Sequence, residues 1–236
     1  MLPNLNLPEF ITNLPSDNRE VFFRPFLVKE EKILLMALEG KDSQEIQNSV
    51  MKIMTNCVKM DQIELEGLPY FDIEHLFLQL RSKSVDNNVH LRVSHQNKDD
   101  CDHVNDVMLD LNDVKVNMPD DRSNVVMLTD SVGVTLQYPS LKVATQLDTL
   151  DQSDIEKLFS FLASCMLNIF DSDSVYEDTT IEEKIEWLGN TNKAQFDKIM
   201  KFFATMPTVE YELDYVCESC GKKDSVSLRG LTSFFS

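Results

Sequence analysis

Val209-Glu-Tyr-Glu-Leu-Asp-Tyr-Val-Cys217-Glu-Ser-Cys220-Gly-Lys-Lys223, followed by Ser225–Leu228, decides how this chain is to be read. Two β segments, Val209–Val216 and Ser225–Leu228, flank a short polar turn, which predicts a hairpin with Cys217 and Cys220 at its tip. Two cysteines two residues apart in a tight turn are half of a zinc-ribbon ligand set. The turn aims both sulfurs at one point, and Gly221 relieves backbone crowding. A tetrahedral site needs two more donors. Those of suitable chemistry are His95, Cys101 and His103, in the connection His95-Gln-Asn-Lys-Asp-Asp-Cys101-Asp-His103. If this connection meets the hairpin, a mixed Cys and His zinc site forms; if it does not, Cys217 and Cys220 are free thiols. A thioredoxin-type redox pair sits at a helix N-terminus, whereas this pair lies between strands.

Upstream of the hairpin the pattern is helical. Ile155, Leu158, Phe159, Leu162, Met166 and Ile169 form one amphipathic stripe, which places Cys165 in a packed helix. Two further helices are expected near Ile181–Leu188 and Thr191–Met206, the second stopped by Pro207. The acidic loop Asp171–Thr180 lacks the central Gly and distal Glu of an EF-hand and is expected to be solvated. Between Val89 and Tyr138, short β-branched or alternating runs predict a small antiparallel sheet. The N-terminal part combines a hairpin, split by Leu14-Pro-Ser-Asp-Asn-Arg19, with three helices. The first covers Val28–Leu38 and stops at Gly40; the second is capped by Asp42 and carries Ile46, Val50, Ile53 and Cys57 on one face; the third starts near Asp72. His75 is expected as a partly exposed histidine on the surface of the third helix, and Glu30-Glu31 on a solvated helix face.

The expected fold class is therefore α+β: an N-terminal hairpin and helices, a small antiparallel sheet, and a helical C-terminal half closed by a Cys-x-x-Cys β-hairpin. The expected division is 1–138 for the α+β domain, 139–208 for the helical region, and 209–236 for the hairpin and apolar tail.

Across 236 residues, 22 Lys and Arg face 40 Asp and Glu, a formal charge of −18. Such a surface repels polyanions, so nucleic acid is not an expected partner. No run of about 18 apolar residues and no basic-then-apolar leader is present, so no membrane association is expected. Five irregularly spaced cysteines do not make a disulfide framework, and a reducing cytosol is the expected site of synthesis. The six glycines, at 40, 67, 133, 189, 221 and 230, form no phosphate-cradling loop. There is no Gly-x-Ser-x-Gly elbow and no His-Glu-x-x-His helix. The expectation is a protein without catalytic residues.

Several separated segments carry a resemblance: Phe23-Arg-Pro-Phe-Leu-Val-Lys-Glu-Glu-Lys-Ile-Leu-Leu-Met-Ala37, Leu80-Arg-Ser-Lys-Ser84, Val107-Met-Leu-Asp-Leu-Asn-Asp-Val-Lys-Val116, Phe202-Phe-Ala-Thr-Met-Pro207, Cys217-x-x-Cys-Gly221 and Leu228-Arg-Gly-Leu-Thr-Ser-Phe-Phe235. With these the chain resembles the baseplate proteins of T4-like bacteriophages over nearly its whole length. The resemblance implies a structural or assembly component of the baseplate hub of a contractile tail, acting by protein–protein binding. It would be present in the host cytoplasm during assembly and in the virion tail if retained. The alternative is a transient assembly chaperone for hub or tape-measure proteins. Expected partners are other hub or tape-measure proteins, and oligomerisation is compatible with the role. The apolar tail offers Leu231, Phe234 and Phe235 as partner-binding residues. These aromatics either fold back onto their own chain or anchor a partner.

Overall fold

The computed structural model describes residues 6–40, 42–59, 64–95, 101–119, 123–148 and 154–234, with backbone alone at 43, 145–148, 231 and 232. The chain divides into two compact units. One takes Met1–Leu65, Phe71–Asn117 and Thr208–Ser236; the other takes Glu66–Tyr70 and Met118–Pro207.

The first unit begins with β1 (Phe10–Asn13) and β2 (Glu20–Phe23), an antiparallel pair with Phe10 opposite Phe23. Their connection turns where Asn18 takes a φ of 62°, a left-handed conformation that Asn tolerates, and the Asn18 N–H donates to Leu14 O at 2.8 Å. Helices α1 (Val28–Gly40), α2 (Ser43–Cys57) and α3 (Tyr70–Ser84) follow, with Tyr70 itself grouped in the second unit. The Asp42 carboxylate caps α2 by accepting the N–H groups of Gln44 and Glu45. Ile46, Val50, Ile53 and Cys57 are all buried, as their helical spacing requires.

Two acidic side chains of this unit are buried, and the first departs from the expected solvated face. Glu30, on α1, is 0% exposed. Its Oε1 accepts from Arg24 at 3.1 Å and its Oε2 from the Leu27 N–H at 2.7 Å. The same guanidinium donates to Asn56 O at 2.9 Å, so the Arg24-Pro-Phe26 joint ties the start of α1 to the end of α2. Burial pushes the Glu30 carboxyl up, but the Leu27 N–H and Arg24 outweigh it and leave the group below its ordinary value. Asp72, on α3, is equally buried and accepts from the Ser16 N–H at 3.0 Å and from the Ser16 hydroxyl. Here desolvation wins and raises the carboxyl to about 6. His75 is half-buried, as a partly exposed helix position should be, with Nε2 3.2 Å from Thr12 Oγ1, and burial lowers its pKa.

The rest of this unit is β. Strands β3 (Asn88–Ser94) and β4 (Val104–Asp110) form one antiparallel pair. Strand β5 (Lys115–Asn117) leaves β4 through a turn at Leu111–Asp113 and pairs with a strand from the C-terminal segment, β10 (Thr208–Val216). That strand pairs in turn with β11 (Lys223–Arg229). Val89, Leu91 and Val93 on alternate positions of β3 meet Val209, Leu213, Tyr215 and Leu228 in a shared apolar core. A short 3-10 turn, Leu231–Phe234, follows β11, and Phe234 is fully buried in that core.

In the second unit, β6 (Val125–Met127), β7 (Gly133–Leu136), β8 (Met166–Phe170) and β9 (Val175–Tyr176) form a four-stranded antiparallel sheet in that order. Its helices are α4 (Leu141–Asp148), α5 (Ile155–Ser164), α6 (Ile181–Gly189) and α7 (Lys193–Ala204). Val134, Leu136, Phe161, Leu162, Cys165, Met166, Leu188 and Ile199 build its core. Thr180 and Asn192 form capping boxes with Glu183 and Gln195 at the starts of α6 and α7.

Two expectations are corrected. The runs between Val89 and Tyr138 belong to three separate sheets rather than one. The stripe from Ile155 to Ile169 is not one helix: α5 ends at Ser164, Cys165 caps it, and Met166–Phe170 is a strand paired with both β7 and β9. A short run such as Met166-Leu-Asn-Ile-Phe170 fits either period; pairing on both edges decides for the strand. The second unit contains residues on both sides of 138/139, with β7 paired to β8.

Candidate metal centre

The turn joining β10 to β11 is closed by its own backbone. The Gly221 N–H donates to Cys217 O and the Cys217 N–H to Lys222 O, both at 2.9 Å, and Gly221 takes a φ of 71°. A Cβ there would be strained in this left-handed conformation, so the residue after Cys220 is glycine for a backbone reason. The fold brings Cys217, at 1% exposure, and Cys220, which is exposed, toward the mouth of the β3–β4 pair.

His95 follows the last residue of β3, and Cys101 lies three residues before β4. The structure brings both to the turn: one donor atom from each of His95, Cys101, Cys217 and Cys220 lies within 4.8 Å of every other. His95 Nε2 is 3.2 Å from Cys220 Sγ, and Cys101 Sγ is 3.9 Å from Cys217 Sγ. His103 is not part of this group; its Nε2 lies 4.0 Å from Glu218 Oε2.

His95 is 7% exposed and its ring is fixed from behind. Nδ1 is 2.8 Å from Asp224 Oδ2, which also accepts from the Tyr215 hydroxyl at 3.3 Å. A second tie between β4 and the turn is the Glu218 N–H, which donates to Asn105 Oδ1 at 2.8 Å. The Cys220 backbone N–H acts first, with help from Ser219 N–H and His95 against the opposing effect of burial, to hold the Cys217 thiol down at about 6. The Asp224 hydrogen bond raises the pKa of His95. By contrast Cys57 and Cys165 are buried in apolar surroundings that push their thiols up to about 11 and about 12, which makes them inert packing residues.

Sequence reasoning named four of these donors but left His95, Cys101 and His103 as alternatives, and it missed Asp224, Tyr215 and Asn105. An Asp four residues beyond Cys220, on the strand leaving the turn, was the available signal for Asp224. Of the proposed partner-binding residues, Phe234 packs inside its own chain, while the side chains of Leu231 and Phe235 lie outside the described residues.

Residues 7–236, which take in this cluster and both units, match the family described as T4 bacteriophage base plate protein. The chain belongs to that family. The baseplate protein family is structural in character, so the chain is a bacteriophage baseplate protein whose place is the virion tail. No curated protein and no solved structure matches it. Among the described residues, no helix of this baseplate protein is long and apolar enough to cross a membrane.

Proposed function

We propose that this chain is a component of the baseplate hub of a contractile phage tail, acting by protein–protein binding and without catalytic activity. The observation that carries the proposal is the extent of the family match, residues 7–236, which leaves neither compact unit outside it. A baseplate role therefore applies to the whole chain rather than to a module joined to another activity. The charge of −18 supports docking against basic surfaces of neighbouring tail proteins, because complementary charge speeds encounter and fixes register. Contact through the C-terminal segment falls to Leu231 and Phe235, since Phe234 is committed to its own core.

Quantitative mass spectrometry of purified mature tails and of assembly intermediates tests this reading. A fixed stoichiometry in mature tails identifies a permanent hub subunit. Presence in intermediates alone identifies an assembly chaperone for hub or tape-measure proteins, made in the host cytoplasm and then released. Absence from both overturns the hub assignment.

A further inference from the structure

His95, Cys101, Cys217 and Cys220 meet from three places in the chain, Cys101 and Cys217 being 116 positions apart and His95 and Cys220 125 positions apart. Chance contact of thiols is common in pairs. Three thiols and an imidazole converging within 4.8 Å, with no carboxylate among them, make a donor set of one chemical type. We propose that these four side chains form a closed structural zinc site that joins the β3–β4 pair to the β10–β11 turn.

The geometry fits a tetrahedral ion. Zinc–sulfur bonds of about 2.3 Å and zinc–nitrogen bonds of about 2.0–2.1 Å give tetrahedral edges of roughly 3.8 Å between sulfurs and roughly 3.5 Å between sulfur and nitrogen. The Cys101–Cys217 edge is 3.9 Å and the His95–Cys220 edge 3.2 Å, and every edge lies within 4.8 Å, so side-chain adjustments of up to about 1 Å seat the ion. The outer partners match as well. Asp224 accepts a hydrogen bond from the Nδ1–H of His95, which directs the Nε2 lone pair at the sulfurs, the carboxylate–histidine arrangement found behind metal-bound imidazoles. The backbone loop around Gly221 presents both turn cysteines to the same point.

Competing chemistries fit less well. A disulfide between Cys101 and Cys217 requires a sulfur separation near 2.04 Å and leaves Cys220 and the oriented His95 without a role. Catalytic zinc keeps one position open for water, whereas four protein donors fill the tetrahedron here. Binding forms three Zn–S bonds to three thiolates, and every cysteine still protonated releases its thiol proton to solvent. Three thiolates and one divalent ion leave the centre with a single net negative charge. The two hairpins touched by the site are short sheets of the kind that need outside support, and metal-binding energy becomes folding energy for them.

The test uses the full chain purified under reducing conditions. Metal analysis is expected to give one equivalent of zinc per chain, and X-ray absorption three sulfur neighbours and one nitrogen. After chelation, one equivalent of Co2+ is expected to give the thiolate charge-transfer band and visible spectrum of a tetrahedral centre, both lost when Zn2+ is added. Cys101→Ser and His95→Ala are expected to weaken Co2+ binding at least about 10-fold, and Asp224→Asn roughly 10- to 100-fold. His103→Ala leaves it unchanged. A wild-type chain that gives no tetrahedral Co2+ spectrum at one equivalent overturns the proposal, whatever the folding of the variants. So does a spectrum that survives His95→Ala but is lost in His103→Ala.

Discussion

Phe234→Ala offers a direct test of how the C-terminus is used. The ring is 0% exposed and packs among Leu78, Val89, Leu91, Val93 and Leu228. Truncation removes a buried aromatic whose transfer from water is worth about 1.5–3 kcal/mol. An unrelaxed cavity of roughly 100 Å3 adds about 2 kcal/mol at about 24 cal/mol per Å3, and partial collapse reduces that, so the expected loss is about 3–5 kcal/mol. Urea denaturation followed by far-ultraviolet circular dichroism should show an earlier transition for the variant, with Phe234→Leu recovering more than half of the loss. Phe235→Ala serves as the comparison because it changes the neighbouring ring. A Phe234→Ala chain with unchanged stability that nevertheless fails to join hub assemblies would refute the fold-back reading and make Phe234 an anchor for a partner.

Asp72 has a carboxyl raised to about 6, so the folded state holds its proton more tightly than the unfolded chain. Its contribution is complete below about pH 4 and is lost as pH rises through 6, for a total of roughly 3 kcal/mol, and Asp72→Asn should flatten that part of the pH profile of urea midpoints. A variant whose profile runs parallel to wild type would show that Asp72 is ionised throughout. Arg24→Ala leaves the buried Glu30 carboxylate only the Leu27 N–H and Lys29 Nζ at 3.7 Å and should cost about 1.5–3 kcal/mol in the same denaturation assay, with Arg24→Met combined with Glu30→Leu recovering much of it. Gly133→Ala places a Cβ 2.4 Å from Phe170 Cζ, so it should lower stability by about 1–3 kcal/mol, and Phe170→Leu should relieve it; equal stability of Gly133→Ala and wild type would contradict the packing of β7 on β8.

Local signals carried the parts of this fold that rest on local physics. Asp42 caps α2, Gly40 ends α1, and Ile46, Val50 and Ile53 lie at helical spacing, and the chain folds accordingly. Periodicity failed where two periods fit the same residues, at Met166–Phe170, because the deciding hydrogen bonds come from β7 and β9. It also failed for Glu30: a helix face containing Lys29, Glu30 and Glu31 looks solvated until Arg24, six residues earlier, folds over it. The pairing of β5 with β10 was equally hidden, since Lys115-Val-Asn117 carries no mark that distinguishes a β4 continuation from a strand in another sheet. The same limit governs the donor cluster. Cys-x-x-Cys-Gly announces half a site, but the choice of His95 over His103 depends on where β3 ends and on Asp224 across the turn.

The hairpin that closes the chain is held at both ends by contacts of different kinds. At its turn, the four donors link it to the residues that follow β3 and precede β4. At its open end, Gly230 adopts a φ of 71° and the Ser233 N–H donates to Gly230 O, which folds the last residues back so that Phe234 enters the core beneath β11. A pair of strands alone is marginal in water, and among the described residues only β5, three residues long, extends this one as a sheet. Most of the support for β10 and β11 therefore comes from side chains. The polar ladder on the other face, where Glu210 accepts from Arg229 and Ser227 and Glu212 from Ser225, consists of exposed pairs that contribute little. Burial of Val209, Leu213, Tyr215, Leu228 and Phe234 in the shared core is thus the main term that orders this segment, and the proposed zinc site would add to it at the turn.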